Sequence, residues 1–494
     1  MKSRKNKIFT SCFLAILLSL ISSFNSFTQS CDTWVALGNS TKDGSVIMGK
    51  NSDRPSVEAQ PLVFHPRQHH KMGEKVQCTH IEIPQVEETY AHIGSKIWWT
   101  FGYEHGLNEW GVTIGNEAEG SRVPSQDIGL LGMDLVRLAL ERGKSAYEAM
   151  HVILELLAAF GQGGGCEMAG QWDENASYHN SFIIADPEEA WVLETAGIYW
   201  IAKKVEDVWA ISNTYSIEAD FNEAHPELIN HAIKMGWCES RADFSFAYCY
   251  SDLHRDYSRS QNRANSNMQK LKKQKGEITV DFMMNTINRN HNEGTINTPK
   301  WSVNDGWFAS TCMHDNAKNR YRTAASMVVH LRKDMPSMLS KVYWGSFSSP
   351  CVNVFKPFYF AGQTIPEQYG IGTNIYAEDS PWWAAEKTKR LCDLNYKKLA
   401  PLVKGIFSET EKWELAMSKT VESEVLGLLK GNKNDEAERI LQDFSSQCCL
   451  RTEKEYNLLH RLLQDMITET GIDYLWMDFL QENCKINDLG LYEF

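Results

Sequence analysis

The sequence predicts an α+β fold, a layered core carrying one long helical tail. Three observations predict it. Strand-like alternation with turn residues fills two stretches, residues 31–115 and 178–211. A helix-spaced segment at 129–160 separates them. From residue 381 onward the chain turns charged and helix-spaced, with little β character. The 494 residues are 43% hydrophobic and 23% charged, which is globular composition, and sixteen Trp point to a large aromatic core. The length allows roughly two to four domains, or one large domain with additions.

Residues 1–30 have the pattern of a removable signal peptide. Lys2, Arg4, Lys5 and Lys7 precede an apolar run at 8–24, and Thr28 and Ser30 are small residues suited to a cut before Cys31. The run is short for a membrane span and contains four serines, and no later segment is a second candidate. The expected division is 1–30 signal peptide, 31–400 main layered domain and 401–494 helical C-terminal extension. The expected location is secreted, or a lysosomal or vesicular lumen, with no membrane contact after the leader is removed.

Residues 31–38 read as a strand. Asp43-Gly44 marks a hairpin turn, and 45–49 is the return strand, which residues 50–55 are expected to break at Pro55. Strands are expected at 60–66, 76–84, 97–101 and 111–115. Two helices follow within 129–160, broken by the glycines at 161–165. Short strands are expected at 178–185, 190–194, 198–205 and 208–211. Residues 258–275 form a basic, solvated helix, and 310–314, 325–329 and 354–360 look like core strands. Leu402 to Phe494 shows amphipathic spacing, for instance Val421, Val425, Leu428 and Leu429.

The net charge is −13, and loss of the leader removes four positive charges, so the remainder is more acidic still. Such a chain is a poor ligand for nucleic acid or anionic membrane. Of twelve cysteines, one lies in the leader. With Cys31 set aside, the other ten permit disulfides in an exported chain without fixing their pairing. No CxxC and no Cys/His spacing typical of zinc is present; Cys312-x-His314 is the nearest approach and reads as a structural pair. Asn39 and Asn175 head glycosylation sequons.

A cut after Ser30 would place a thiol and a free α-amine on one residue, Cys31. The thiolate is the attacking species, with an ordinary pKa near ~8.5. An α-amine titrates at roughly 7.7–8.0 and can take the thiol proton, then return it to a leaving amine. No remote His is needed, nor any metal or organic cofactor. Asp53 could orient the new amine. Lys50 and Arg54 could lower the thiol pKa or bind a substrate carboxylate. Asn116 and Asn213, each ending a strand-like run, are candidate oxyanion donors.

These residues carry a resemblance. Cys31 to Ala36, Asp43-Gly44 and the 49–55 stretch Gly-Lys-Asn-Ser-Asp-Arg-Pro resemble the start of the secernin and cysteine-dipeptidase family of N-terminal-nucleophile hydrolases. Blocks at 108–118, 179–187, 190–197, 310–314, 354–358 and 381–383 agree in order, so the resemblance spans roughly residues 31–395 and fades beyond 400. It implies a four-layer αββα sandwich with the nucleophile at a strand start, and cleavage of a linear amide, in the peptidase members a dipeptide, through a thioester. It also implies Asn213 as the oxyanion-hole Asn, Asn116 as a looser second donor, and a later essential arginine at Arg263, with Arg259 as the rival. Lys50 stands where related bile-acid and penicillin amidases carry Arg. Secernins are read as cytosolic with a short propeptide, whereas this chain has an export signal. The implied activity is therefore a thiol dipeptidase. The alternatives are an amidase on acyl amino acids or bile-acid-like conjugates, and a silent interaction protein on the same scaffold. The implied partner is a small peptide or amide substrate, and homo-oligomer formation is left open.

Overall fold

The structure is a computed structural model that describes residues 30–56, 58–168, 177–305, 310–317, 320–362, 365–470 and 474–487. The leader before Ser30 and the sequon at Asn175 lie outside the described residues.

Two antiparallel sheets stack face to face. The six-stranded sheet runs in the order Val208–Ile211, Ser30–Ala36, Val46–Pro55, Tyr321–Leu331, Lys341–Phe347, Lys356–Tyr359. The eight-stranded sheet runs Glu223–Ala224, Tyr199–Lys204, Ala190–Ala196, His179–Ala185, Thr113–Glu119, His105–Asn108, His92–Ser95, Leu62–His65. Val35, Met48, Ile93, Ile183, Val192 and Met327 fill the space between them.

Helices cover both outer faces. Gly132–Arg142 and Ala146–Phe160 press Leu135, Leu138, Ile153 and Leu156 onto Ile114, Phe182 and Leu193 of the eight-stranded sheet. On the other side Leu271, Val421, Val425, Leu441 and Phe444 cover Trp34, Ile47, Val328 and Trp344. Each such apolar side chain contributes roughly 1.5–3 kcal/mol when fully buried. The result is the αββα order that the sequence reading expected.

The tail is two long helices, Tyr396–Lys430 and Asn434–Thr470, followed by Tyr474–Asn487. Residues 400 and 401 fall inside the first of these. Leu399, Val403 and Phe407 belong to the same buried cluster as Leu459 and Leu463, so the helices close the outer layer of the core. Among the described residues no helix is long and apolar enough to cross a membrane.

Three local expectations are corrected. The second strand does not stop before Lys50 but continues through Pro55. Ser30–Ala36 pairs along one edge and Tyr321–Leu331 along the other, and pairing on both sides outweighs the weak strand propensity of Lys50, Asn51 and Asp53. Residues 97–101 form a turn; Trp98 donates its main-chain N–H to Ala59, and the Trp99 indole donates to Glu58 at 2.9 Å. Residues 310–314 form a loop, since Cys312 donates to the Asn290 carbonyl and the Thr311 carbonyl accepts from the Asn51 side chain.

Candidate active site

The first strand separates two environments, because successive side chains point to opposite faces. Thr33 and Val35 face the eight-stranded sheet; the Thr33 hydroxyl donates to Glu117, and Val35 joins the inter-sheet core. Asp32, Trp34 and Ala36 face the helices. Cys31 shares the inter-sheet face with Thr33. Across the hairpin, Cys31 sits opposite Ser52, and Ser30 sits opposite Asp53.

On the helix face, Arg263 organises the site. It rises from the helix Ser258–Lys273, while Arg259, one turn earlier, is exposed. The Arg263 Nε lies 3.1 and 3.0 Å from the two Asp32 oxygens, and its Nη2 donates to Ser212 Oγ at 2.7 Å and to Asn213 Oδ1 at 2.8 Å. Burial pushes the Asp32 carboxyl up to about 6, with the Arg263 charge acting against it. Asn213 lies just beyond the strand Val208–Ile211. Its Oδ1 also accepts the main-chain N–H of Cys31 at 2.8 Å, and its Nδ2 donates to the Ala118 carbonyl at 2.9 Å. The carboxamide therefore turns its oxygen, not its NH2, toward Cys31.

The Cys31 thiol is buried among main-chain and charged groups. The Asp53 N–H points at Sγ from 3.4 Å, the Asp53 carbonyl is 3.9 Å away, and Glu104 Oε2 is 4.0 Å away. Burial pushes the thiol pKa well up, and the Lys50 cation opposes that rise. Asp53 Oδ1 accepts from the Thr323 hydroxyl at 2.6 Å, while Oδ2 is buried without a hydrogen-bond partner among the described residues. Burial, then the neighbouring Asp32 charge, raises the Asp53 carboxyl to about 8.

Both cations of the second strand are matched internally. Lys50 Nζ bonds the Asn116 carbonyl and lies 3.3 Å from Glu117 and 4.0 Å from Glu104. Arg54 lies 2.7 Å from Glu58 and 3.6 Å from Glu104, and donates to the Cys166 carbonyl at 2.8 Å. The structure thus pairs Lys50 and Arg54 with carboxylates of the protein itself. Asn116 contributes its carbonyl, but its side chain points the other way and donates to Asn180 Oδ1 at 3.1 Å, beneath the helix that begins at Gly132.

Of the residues anticipated, the structure brings together Cys31, Asp53, Asn213, Arg263 and Lys50, puts Arg54 one ion pair further out, and sends the Asn116 side chain elsewhere. It adds Asp32, Ser212, Thr323, Glu104 and Glu117. Asp32 and Ser212 adjoin anticipated residues, so strand alternation could have found Asp32. Glu117 likewise adjoins the anticipated Asn116, whereas Glu104 and Thr323 come from elsewhere in the chain and carry no local signal.

No two cysteines are bonded among the described residues. One group there has metal-ligand chemistry: His291, Cys312, His314 and Cys351, all buried and separate from Cys31. The ligands are scattered in sequence, which is why no zinc spacing was legible.

Two stacked antiparallel sheets between helices, with a buried cysteine at the start of an interior strand, define a layered αββα protein. The family is narrower: the model for Peptidase family C69 matches residues 30–409, and the chain belongs to that family. Probable dipeptidase A of Streptococcus pyogenes serotype M18 is 23% identical over 445 residues, covering 80% of this chain and 89% of that protein. The serotype M3 protein of the same name is 23% identical over 446 residues, covering 81% and 90%. Two solved structures align at lower similarity. A mutant of conjugated bile acid hydrolase from Clostridium perfringens gives a TM-score of 0.34 at 14% identity, covering 64% of this chain and 89% of that one. The Caenorhabditis elegans N-acylethanolamine-hydrolyzing acid amidase ortholog gives 0.30 at 11%, covering 60% and 92%.

Proposed function

We propose that the chain is a cysteine dipeptidase whose nucleophile, Cys31, is unmasked by removal of residues 1–30 during export. One observation carries the reading. The Cys31 nitrogen is held by Asn213, and the residue removed, Ser30, is the cross-strand partner of Asp53. Cleavage would turn a main-chain amide into an α-amine, already gripped by Asn213 and next to the Asp53 carboxyl, whose Oδ2 has no hydrogen-bond partner among the described residues.

In the uncleaved chain burial holds the proton on the thiol. The freed amine supplies the base. It takes the thiol proton, and the Lys50 charge favours the resulting thiolate. Sγ attacks the peptide carbonyl, the amine returns the proton to the departing nitrogen, and the thioester that remains is hydrolysed by water. Asn213 and Asp53 act as positioning residues for the amine, and Arg263 acts through Asn213 and Asp32. Arg54 and the Asn116 side chain take no direct part. The dipeptidase names of the streptococcal relatives support a dipeptide substrate.

The test is hydrolysis of a panel of dipeptides by the processed wild type, Cys31→Ser and Cys31→Ala. The reading expects turnover by wild type, a weak remnant in Cys31→Ser and none in Cys31→Ala. Normal turnover by Cys31→Ala would overturn it.

A further inference from the structure

The loop at 310–314 is held in no sheet, yet Ser310, Thr311, Cys312, Met313 and His314 are all buried. It converges with a second loop and a helical turn. Cys312 and His314 come from the first loop, His291 follows the helical turn Met283–Asn288, and Cys351 lies in the turn Pro350–Val352. One ligand atom from each of the four lies within 4.8 Å of every other. We propose that His291, Cys312, His314 and Cys351 bind a structural zinc ion.

The chemistry fits zinc on three counts. Two thiolates and two neutral imidazoles are a closed tetrahedral set with no position left for water, and two thiolates cancel the Zn2+ charge in a buried place. Sulfur and imidazole ligands together exclude the hard oxygen-seeking cations.

The histidines are also prepared. His314 Nδ1 lies 3.2 Å from Asp393 Oδ1, and Asp393 Oδ2 is itself 2.9 Å from Lys389. An imidazole that gives its Nδ1–H to a carboxylate turns the Nε2 lone pair toward a metal. That Nε2 already lies 3.1 Å from Cys351 Sγ and 4.0 Å from Cys312 Sγ. His291 Nε2 is buried with no hydrogen-bond partner among the described residues, while its Nδ1 lies 3.6 Å from Glu293. A buried ring nitrogen left unpaired is costly, and a metal bond removes that cost. Trp301 stacks on Tyr396 at 3.5 Å and meets the His291 and His314 rings edge to face at 5.0 and 5.1 Å.

The site also braces the candidate active centre. Met313, between the two ligands of the first loop, accepts the Thr323 N–H at 3.1 Å and donates to the Thr323 hydroxyl at 2.9 Å. That hydroxyl is the donor to Asp53. Zinc would fix the loop, the loop fixes Thr323, and Thr323 fixes Asp53.

The test is metal content by elemental analysis of the purified full-length chain. The proposal expects one zinc per chain, lost at least tenfold in Cys312→Ser and Cys351→Ser, and weaker binding in Asp393→Asn by roughly 10- to 100-fold. Should those variants fail to fold, wild type stripped of metal and titrated with Co2+ should give a tetrahedral cobalt spectrum with a thiolate charge-transfer band. Thiol counting on the unreduced chain covers the rival fate of the two sulfurs. A Cys312–Cys351 disulfide in the native chain, or a wild type that takes up neither zinc nor cobalt at these ligands, would overturn the proposal.

Discussion

The side-chain oxygen of Asn213 lies 2.8 Å from the main-chain nitrogen of Cys31, and the same oxygen accepts from Arg263 at 2.8 Å. One acceptor thus joins the first residue of the proposed mature chain to a buried cation. Through Arg263 it is also joined to Asp32, the next residue along the strand. Asn213→Ala removes the acceptor and frees the Cys31 nitrogen. Misplacing a reacting group by about 1 Å costs roughly 100-fold in rate. Steady-state kinetics on a dipeptide should show kcat down by about that factor, with KM little changed and the thermal midpoint within a few degrees of wild type.

Arg263 and Asp32 are both buried, so their pair is expensive to break from one side. Arg263→Met leaves the Asp32 carboxylate buried without its cation, which should cost about 3–5 kcal/mol. Adding Asp32→Asn to Arg263→Met removes the stranded charge and should recover part of that loss. Urea unfolding of the two variants checks the loss and its partial recovery.

Gly115 lies on the eight-stranded sheet directly behind the second strand. A Cβ there would stand 2.7 Å from Lys50 Cδ and 2.9 Å from Thr33 Oγ1. Gly115→Ala should push the two sheets apart at the site and cost about 1–3 kcal/mol. Gly427, inside the helix Tyr396–Lys430, has nothing within 4 Å of the same position. Gly427→Ala should stabilise by about 0.5–1 kcal/mol, through helix propensity alone. Thermal melts of the two variants should move in opposite directions.

Glu386 predicts part of the acid sensitivity. Burial would raise its pKa, but Arg322 at 3.1 Å and Arg390 at 2.9 Å outweigh burial and hold it at about 2. The folded value is therefore below the ordinary 4.5. The stabilisation is complete above about 4.5 and fades as pH falls toward 2. Glu386→Gln should be markedly less stable than wild type at pH 7 and nearly equal to it near pH 2. Urea midpoints across that range test the sign.

The sequence made the layer order legible because strands and helices differ in apolar period, and here the periods change cleanly at 129–160 and near 381. Residues 50–54 were misread because their propensity is polar, while their strand is set by two neighbours distant in the chain. The site was legible where strand neighbours define it, as at Cys31 and Asp53. It was illegible where partners arrive by folding. Nothing near Glu104 or Thr323 marks them, and Asn116 was misplaced because a one-residue phase decides which face of a strand a side chain takes, so that its neighbour Glu117 faces Lys50 instead. The Cys/His group was hidden for the same reason, since its four ligands lie on separate segments.

The proposed mechanism requires that Cys31 become the N-terminal residue and act there. The most direct measurement is the mass of the N-terminal peptide of the chain purified from a secreting host, taken on the sample whose dipeptide turnover is recorded. The proposed mechanism requires an active chain that begins at Cys31 with an unmodified α-amine. An active chain that begins at any other residue, or whose Cys31 amine is blocked, would contradict it.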